Sequence, residues 1–214
     1  MYGFQPRQWT VQRPPTASFS TTFPLTQNPI SQGGIWTNGL ADGVAWNDVQ
    51  TDGTKALATS LASGVADSIA HLKSTVWPAS AVNIRITAVM FQNAADPDSE
   101  FELHLRHLIT TNNARGYECL LSQNGNVQIV RWNGAFSDFT TIETIDNLPT
   151  PTADGDVISA EITGSSIKFF QNGIQLAHAT DATWANGFPG LGFDKPIAAD
   201  PTKFGWKSWS VVAI

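Results

Sequence analysis

Between residues 157 and 193 the chain writes three short runs of strand-forming residues, cut by the dipeptides Gly164-Ser165 and Asn172-Gly173. Asn-Gly is favoured where both central residues of a tight turn need positive φ, and the flanking residues alternate with a period of two. Turn chemistry and alternation agree on an antiparallel meander, which constrains fold class strongly and chemistry hardly at all. The same punctuation recurs upstream at Gly33-Gly34, Asn38-Gly39, Asp42-Gly43 and Asp52-Gly53. Many short strands with no repeat of propeller length predict an all-β fold: a two-sheet antiparallel β-sandwich, or jelly roll.

The middle of the chain carries the same signal. Residues 81–91 place Val82, Ile84, Ile86, Ala88 and Met90 on one face, and residues 101–107 place Phe101, Leu103 and Leu105 opposite Glu102, His104 and Arg106. Further strands are expected at 117–122, 127–132, 140–145, 157–163, 167–171, 174–179, 190–193 and 206–212. Only residues 53–69 have the composition of a helix, against their own glycines and β-branched residues. Residues 1–17, with Pro6, Pro14 and Pro15 beside Phe4 and Trp9, read as an extended N-terminal arm. The domain proper is then 18–214. Phe4 and Trp9 are candidate anchors of the arm, on the chain's own domain or on a neighbouring subunit.

Composition narrows the partners. A formal charge of −6 without a cluster of Lys or Arg argues against nucleic acid and anionic membrane, both of which need a concentrated positive field. No apolar run approaches the roughly 20 residues that span a bilayer. Cys119 is the only cysteine, so an intrachain disulfide and a cysteine-based zinc site are excluded, and a buried thiol in a strand is expected. The N-terminus lacks the basic and apolar regions of a secretory signal, which leaves either a removed signal or assembly in a cytoplasm.

Residues 31–49, with Gly33-Gly34-Ile35-Trp36-Thr37-Asn38-Gly39, and residues 115–134, with Gly116-Tyr117-Glu118-Cys119-Leu120 and Ile129-Val130-Arg131-Trp132-Asn133-Gly134, resemble the concanavalin A-like lectin/glucanase superfamily. Within it they are most similar to the laminin G-like jelly rolls of bacteria and phages. The resemblance runs over residues 18–214 and implies glycan or protein binding, usually without catalysis. It also implies a structural calcium held by acidic residues near the first and last strands. Here those places read Ser20-Thr21-Thr22-Phe23 and Trp206-Lys207-Ser208-Trp209, without a carboxylate, so no metal or other cofactor is expected. The glucanases of the superfamily resemble one another in a Glu-x-Asp-x-x-Glu strand, and this chain has no such run.

The candidate ligand platform is Glu102, His104 and Arg106 on one strand, joined by Tyr117 and Glu118 from a neighbour. Carboxylate and guanidinium can hydrogen-bond sugar hydroxyls, and Tyr117 or Trp132 can stack on a ring. The bland alternative is a solvated face with an Arg106–Glu118 ion pair. As an enzyme the chain would use Glu102 with Glu118, or His104, Arg106 and Tyr117 as a lyase-like set. Asp96, Asp98 and Glu100 read as a polar loop. His104 and His107, three apart on a strand, should face opposite sides and not form a metal pair. Trp36, Trp46, Trp132, Trp206 and Trp209 read as core.

These observations converge on a non-catalytic binding or scaffolding module. A virion surface protein made in a host cytoplasm, contacting other virion proteins or further copies through its arm and able to take cell-surface glycan as a ligand, accommodates them together. The alternative is a carbohydrate-binding module, hydrolase or lyase of a secreted bacterial system.

Overall fold

The computed structural model describes residues 16–40, 46–59, 67–93, 99–146, 148, 152–194 and 200–214. Phe4 and Trp9 of the expected arm, and Asp96 and Asp98, lie outside the described residues. The strands are β1 (Ser18–Thr21), β2 (Thr26–Gln27), β3 (Trp36–Asn38), β4 (Val49–Asp52), β5 (Ala56–Ala58), β6 (Ser68–Leu72), β7 (Ile84–Gln92) and β8 (Glu100–Thr110). They continue as β9 (Asn113–Ser122), β10 (Val127–Gly134), β11 (Phe139–Ile145), β12 (Val157–Thr163), β13 (Ser166–Gln171), β14 (Ile174–Thr180), β15 (Phe188–Asp194) and β16 (Phe204–Ala213). One sheet runs β14-β13-β12-β7-β16-β5-β4-β2, with β1 also on β16, and the other runs β11-β10-β9-β8-β15-β6-β3. The fold is the two-sheet antiparallel sandwich that the sequence predicts.

The terminal meander forms as its turns require, with Asn172 at φ 51° and Gly173 at φ 79° closing β13 onto β14. Asn172 Oδ1 also accepts the Val157 backbone N–H at 2.9 Å, which ties the turn to the start of β12. Helix is not what residues 53–69 adopt where they are described. β5 and β6 occupy that region, because the apolar residues Ala56, Leu57 and Ala58 and, in β6, Ile69, Ala70 and Leu72 find partners in the two sheets.

Ile84, Ile86, Ala88 and Met90 of β7 and Trp206, Trp209 and Val211 of β16 meet Phe101, Leu103 and Leu105 of β8 and Tyr117, Cys119 and Leu121 of β9 between the sheets. Each fully buried large side chain there contributes about 1.5–3 kcal/mol. Burial also pushes the Cys119 thiol well above its ordinary value. A second apolar cluster forms on the outer face of the seven-stranded sheet: Trp46, Ile69, Ile109, Ala114, Leu120, Val130 and Trp132. Trp36, Trp206 and Trp209 therefore belong to the inter-sheet core, whereas Trp46 and Trp132 cover the sheet from outside.

Candidate functional site

Alternation along β8 turns Phe101, Leu103 and Leu105 inward, so Glu102 and His104 stand on the outer face. In register beside them on β9, Glu118 pairs with His104. The face is not solvated: Glu102 is 1% exposed, His104 0% and Glu118 5%. His104 Nε2 lies 3.0 Å from Glu102 Oε2 and 3.7 Å from Glu118 Oε2. Trp132 Nε1 donates to Glu118 Oε2 at 2.6 Å, so the cover is itself bonded to the cluster.

Room for these side chains comes from glycines. Gly190 and Gly192 occupy the outward positions of β15, next to β8, and a Cβ on Gly192 would collide with Glu102 Oε2 and stand 3.0 Å from His104 Nε2. With no side chains there, Glu102 and His104 lie flat across β15.

The alternation then breaks. Arg106 adopts φ 51°, and the β8–β9 register shifts between Leu105 and Leu108, so Arg106 and His107 together oppose Gly116. This bulge inserts one residue and returns His107 to the face of His104, against the expectation that the two point apart. Their ring centroids are 4.4 Å apart and both side chains are buried. Gly116 accommodates the bulge, since a Cβ there would stand 2.7 Å from His107 Cα. His71 of β6 completes a histidine row, its ring 6.4 Å from that of His107. His71 Nδ1 lies 2.8 Å from Leu72 O and Nε2 accepts the Ile109 N–H at 3.1 Å, which fixes a neutral tautomer donating from Nδ1.

Burial sets the electrostatics. Glu102 and Glu118 are both raised well above the ordinary carboxylate range, first by desolvation and then by neighbouring carboxylates: Glu118 and Asp67 act on Glu102, and Asp67 acts on Glu118. The Trp132 hydrogen bond offsets part of the rise at Glu118. Asp67 is pushed up to about 7 by burial and by the Asp194 charge, against a hydrogen bond from Trp46. Burial, with His71 nearby, lowers His104 to about 3. Charge is disfavoured throughout, whichever its sign.

The bulge also sends Arg106 away from this cluster. Its Nε donates to Val82 O at 2.9 Å and its Nη1 to Trp184 O at 3.0 Å, so the expected common face with Glu102 and the ion pair with Glu118 do not form. Tyr117 points into the sandwich by alternation, and its hydroxyl donates to Asp181 Oδ1 at 2.7 Å and accepts the Trp184 N–H at 2.9 Å. Of the five expected ligand residues, the fold thus unites Glu102, His104 and Glu118 and separates Arg106 and Tyr117. It adds His107, Asp67 and the covering Trp46, which the sequence reading did not include.

Two carboxylates and an imidazole whose donor atoms all lie within 4.8 Å of one another can share protons or hold a metal ion. Two surface grooves of about 610 and 480 Å³ lie elsewhere, along β1 and β16 on the nine-stranded sheet, lined by Ser20, Thr21, Gln32 and Ser208 or by Arg85, Thr87 and Ser210.

No protein-family model matches this chain, and neither does any curated protein. Solved structures do share its fold. The exoplasmic/lumenal domain of VIP36 in its Ca2+/mannose-bound form aligns with a TM-score of 0.60 at 9% identity, covering 91% of this chain and 89% of that one. The κ-carrageenase of Pseudoalteromonas carrageenovora aligns at 0.56 and 11% identity, covering 97% and 99%. The carbohydrate binding module CBM66 of Bacillus subtilis aligns at 0.54 and 14%, covering 86% and 94%. What these structures share with the chain is the fold, a two-sheet jelly-roll β-sandwich.

Proposed function

We propose that this chain is a non-catalytic jelly-roll module that binds glycan through an aromatic rim on the outer face of the seven-stranded sheet. One observation carries the reading. Phe136, Trp46, Trp132 and Phe139 form a row with centroid spacings of 5.4, 5.2 and 5.2 Å, and its two ends are open, Phe136 being 42% and Phe139 50% exposed. Exposed aromatic faces stack on the CH faces of sugar rings. Beside them Asn133 Nδ2 donates to Asp138 Oδ1 at 2.9 Å and to Thr140 Oγ1 at 3.3 Å, a preset group of amide, carboxylate and hydroxyl for sugar hydroxyls. The non-catalytic part rests on burial: glycoside hydrolysis needs carboxylates that flank the bond and admit water, and Glu102 and Glu118 lie beneath Trp132. The mannose and carrageenan oligosaccharide named with the similar structures support a glycan as ligand.

A glycan array on the intact chain tests this. Binding should fall at least about tenfold in the Phe136→Ala/Phe139→Ala double variant, a loss of about 1.4 kcal/mol, and should persist in Glu102→Gln. Absence of binding to any glycan, or binding indifferent to the double variant, ends the reading.

The setting we propose is a virion surface, with other virion proteins or further copies as neighbours. Support comes from the lone buried Cys119, since a fold with a single buried thiol needs no oxidising compartment and is compatible with assembly in a reducing cytoplasm. Mass spectrometry of purified particles decides it, because absence of the chain from particles would remove the setting. A secreted carbohydrate-active system would then hold the same glycan-binding face.

A further inference from the structure

We propose that Glu102, His104 and Glu118 form a buried site for one divalent transition-metal ion of the zinc class. This does not rest on the glycan reading: the proposed ligands are none of its aromatic residues, and only Trp132 serves both, by its ring in one and its indole N–H in the other. Charge calls for a cation here. Two carboxylates are buried side by side with an imidazole, and among the described residues no lysine or arginine forms an ion pair or hydrogen bond with either of them. Unpaired buried carboxylates cost several kcal/mol each, and a divalent cation cancels two at once.

The spacing of the donors fits such an ion. Zinc ligands stand about 2.0–2.2 Å from the metal, which places donors of a tetrahedral site roughly 3.3 Å apart. The two His104 edges of the triangle, 3.0 and 3.7 Å, bracket that spacing. Gly192 leaves open the space into which Glu102 Oε2 and His104 Nε2 project, and a Cβ there would obstruct it. Trp132 Nε1–H holds Glu118 Oε2 from outside, as a second layer around a metal ligand does.

A third, separate observation is the unsatisfied buried nitrogen beside the site. His107, brought to this face by the bulge, has an Nδ1 without a hydrogen-bond partner, and so does His104. Buried imidazole nitrogens are rarely left so, and these two mark the outer face around the triad as a place where the protein's own hydrogen bonds are incomplete. The ligand set also selects the ion. Imidazole suits zinc, cobalt and their neighbours, whereas calcium takes six to eight oxygens.

The test unfolds the intact chain in chelator and refolds it with Zn2+, Co2+ or Ca2+, so that the ion is present before the cover closes. Native mass spectrometry should find one zinc per chain retained through gel filtration, no retained calcium, and visible ligand-field absorption for the cobalt form. Glu102→Gln, His104→Gln and the near-isosteric Glu118→Gln should each weaken retention at least about tenfold, with folding checked by circular dichroism. The exposed His178→Ala should change nothing. Wild-type chain that refolds without retaining zinc or cobalt overturns the proposal. So does zinc retained equally by the three glutamine variants, which would mean adventitious surface binding. Should the variants not fold, the wild-type cobalt spectrum decides alone: octahedral, aqua-like absorption counts against the site.

Discussion

Tyr117 and Glu118 are neighbours on β9, and they feed two polar groups built on opposite terms. On the Tyr117 side, the segment from Asp181 to Gly187 is fastened by complementary charge. Arg131 Nη1 pairs with Asp181 Oδ2 at 2.6 Å, Arg106 donates to Trp184 O, and Arg115 lies 4.6 Å from the Trp184 ring centroid and donates to Asn186. Burial alone would raise the Asp181 carboxyl, but hydrogen bonds from Thr183, Tyr117 and Arg131 outweigh it and hold it at about 2. On the Glu118 side, no such cation answers Glu102 or Glu118 among the described residues, and both carboxyls are driven upward instead. One group is closed by the chain's own residues. The other has acids without cations, and that asymmetry is what marks it as a site.

The bulge at Arg106 joins the two, since it delivers Arg106 to one and His107 to the other. Gly187 packs on the Arg106 peptide at φ 147°, and a Cβ there would collide with the Arg106 carbonyl. Gly187→Ala should therefore cost the most, about 3 kcal/mol or more, because backbone rather than a flexible side chain must move. Urea midpoints measure it, and a loss under about 1 kcal/mol would show that the bulge is not locked from this side.

Much of the frame was legible because its signals are local. Strand alternation and Asn172-Gly173 identify every strand from β7 to β16 to within a few residues, since each is paired in a sheet and most alternate in residue type along their length. The site was legible only in part. Glu102, His104 and Glu118 could be placed on one face from period-two alternation, but the same rule carried through Arg106 put His107 on the wrong side. A bulge adds one residue, and its traces were Gly116 across the strand and the paired Gly190 and Gly192 next door, which a single-strand reading does not connect. Burial was illegible for a different reason. Charged residues alternating with apolar ones look solvated, and the cover over them comes from Trp46, remote in sequence, and from Trp132 two strands away.

Removing the cation from the closed group should be the next largest effect. Arg131→Met leaves Asp181 its hydrogen bonds from Tyr117 and Thr183 but no counter-charge, for an expected loss of about 2–3 kcal/mol at neutral pH. Thermal and urea unfolding should agree on it. A change near zero would mean that the Asp181 knot is closed by neutral hydrogen bonds alone.

Acid gives a slightly smaller effect with a defined window. An aspartate unfolds with a pKa of about 3.9, and Asp181 folds at about 2, so its contribution is present above about pH 4 and is lost as pH falls toward 2. The full contribution is about 2 kcal/mol after allowance for its partial exposure. Comparing the wild type with Asp181→Asn isolates it from other acids: the stability gap between them should close between about pH 4 and pH 2. A gap that stays constant would mean that Asp181 is not held ionised by its partners.

The smallest effect is the most discriminating, because its sign differs between the two groups. Glu102→Gln keeps the shape of the side chain and an oxygen for His104 while removing a carboxyl whose ionisation burial opposes. In metal-free protein at pH 8 it should stabilise by about 1 kcal/mol, because the unfolded chain ionises this carboxyl freely and the folded chain resists it. Asp181→Asn under the same conditions should destabilise, since there the charge is matched. Refolding with zinc should then reverse the order for Glu102, with the wild type gaining thermal stability and Glu102→Gln gaining little. A Glu102→Gln variant destabilised without metal would mean that some group on the protein already balances Glu102, and the contrast between the two sides of β9 would collapse.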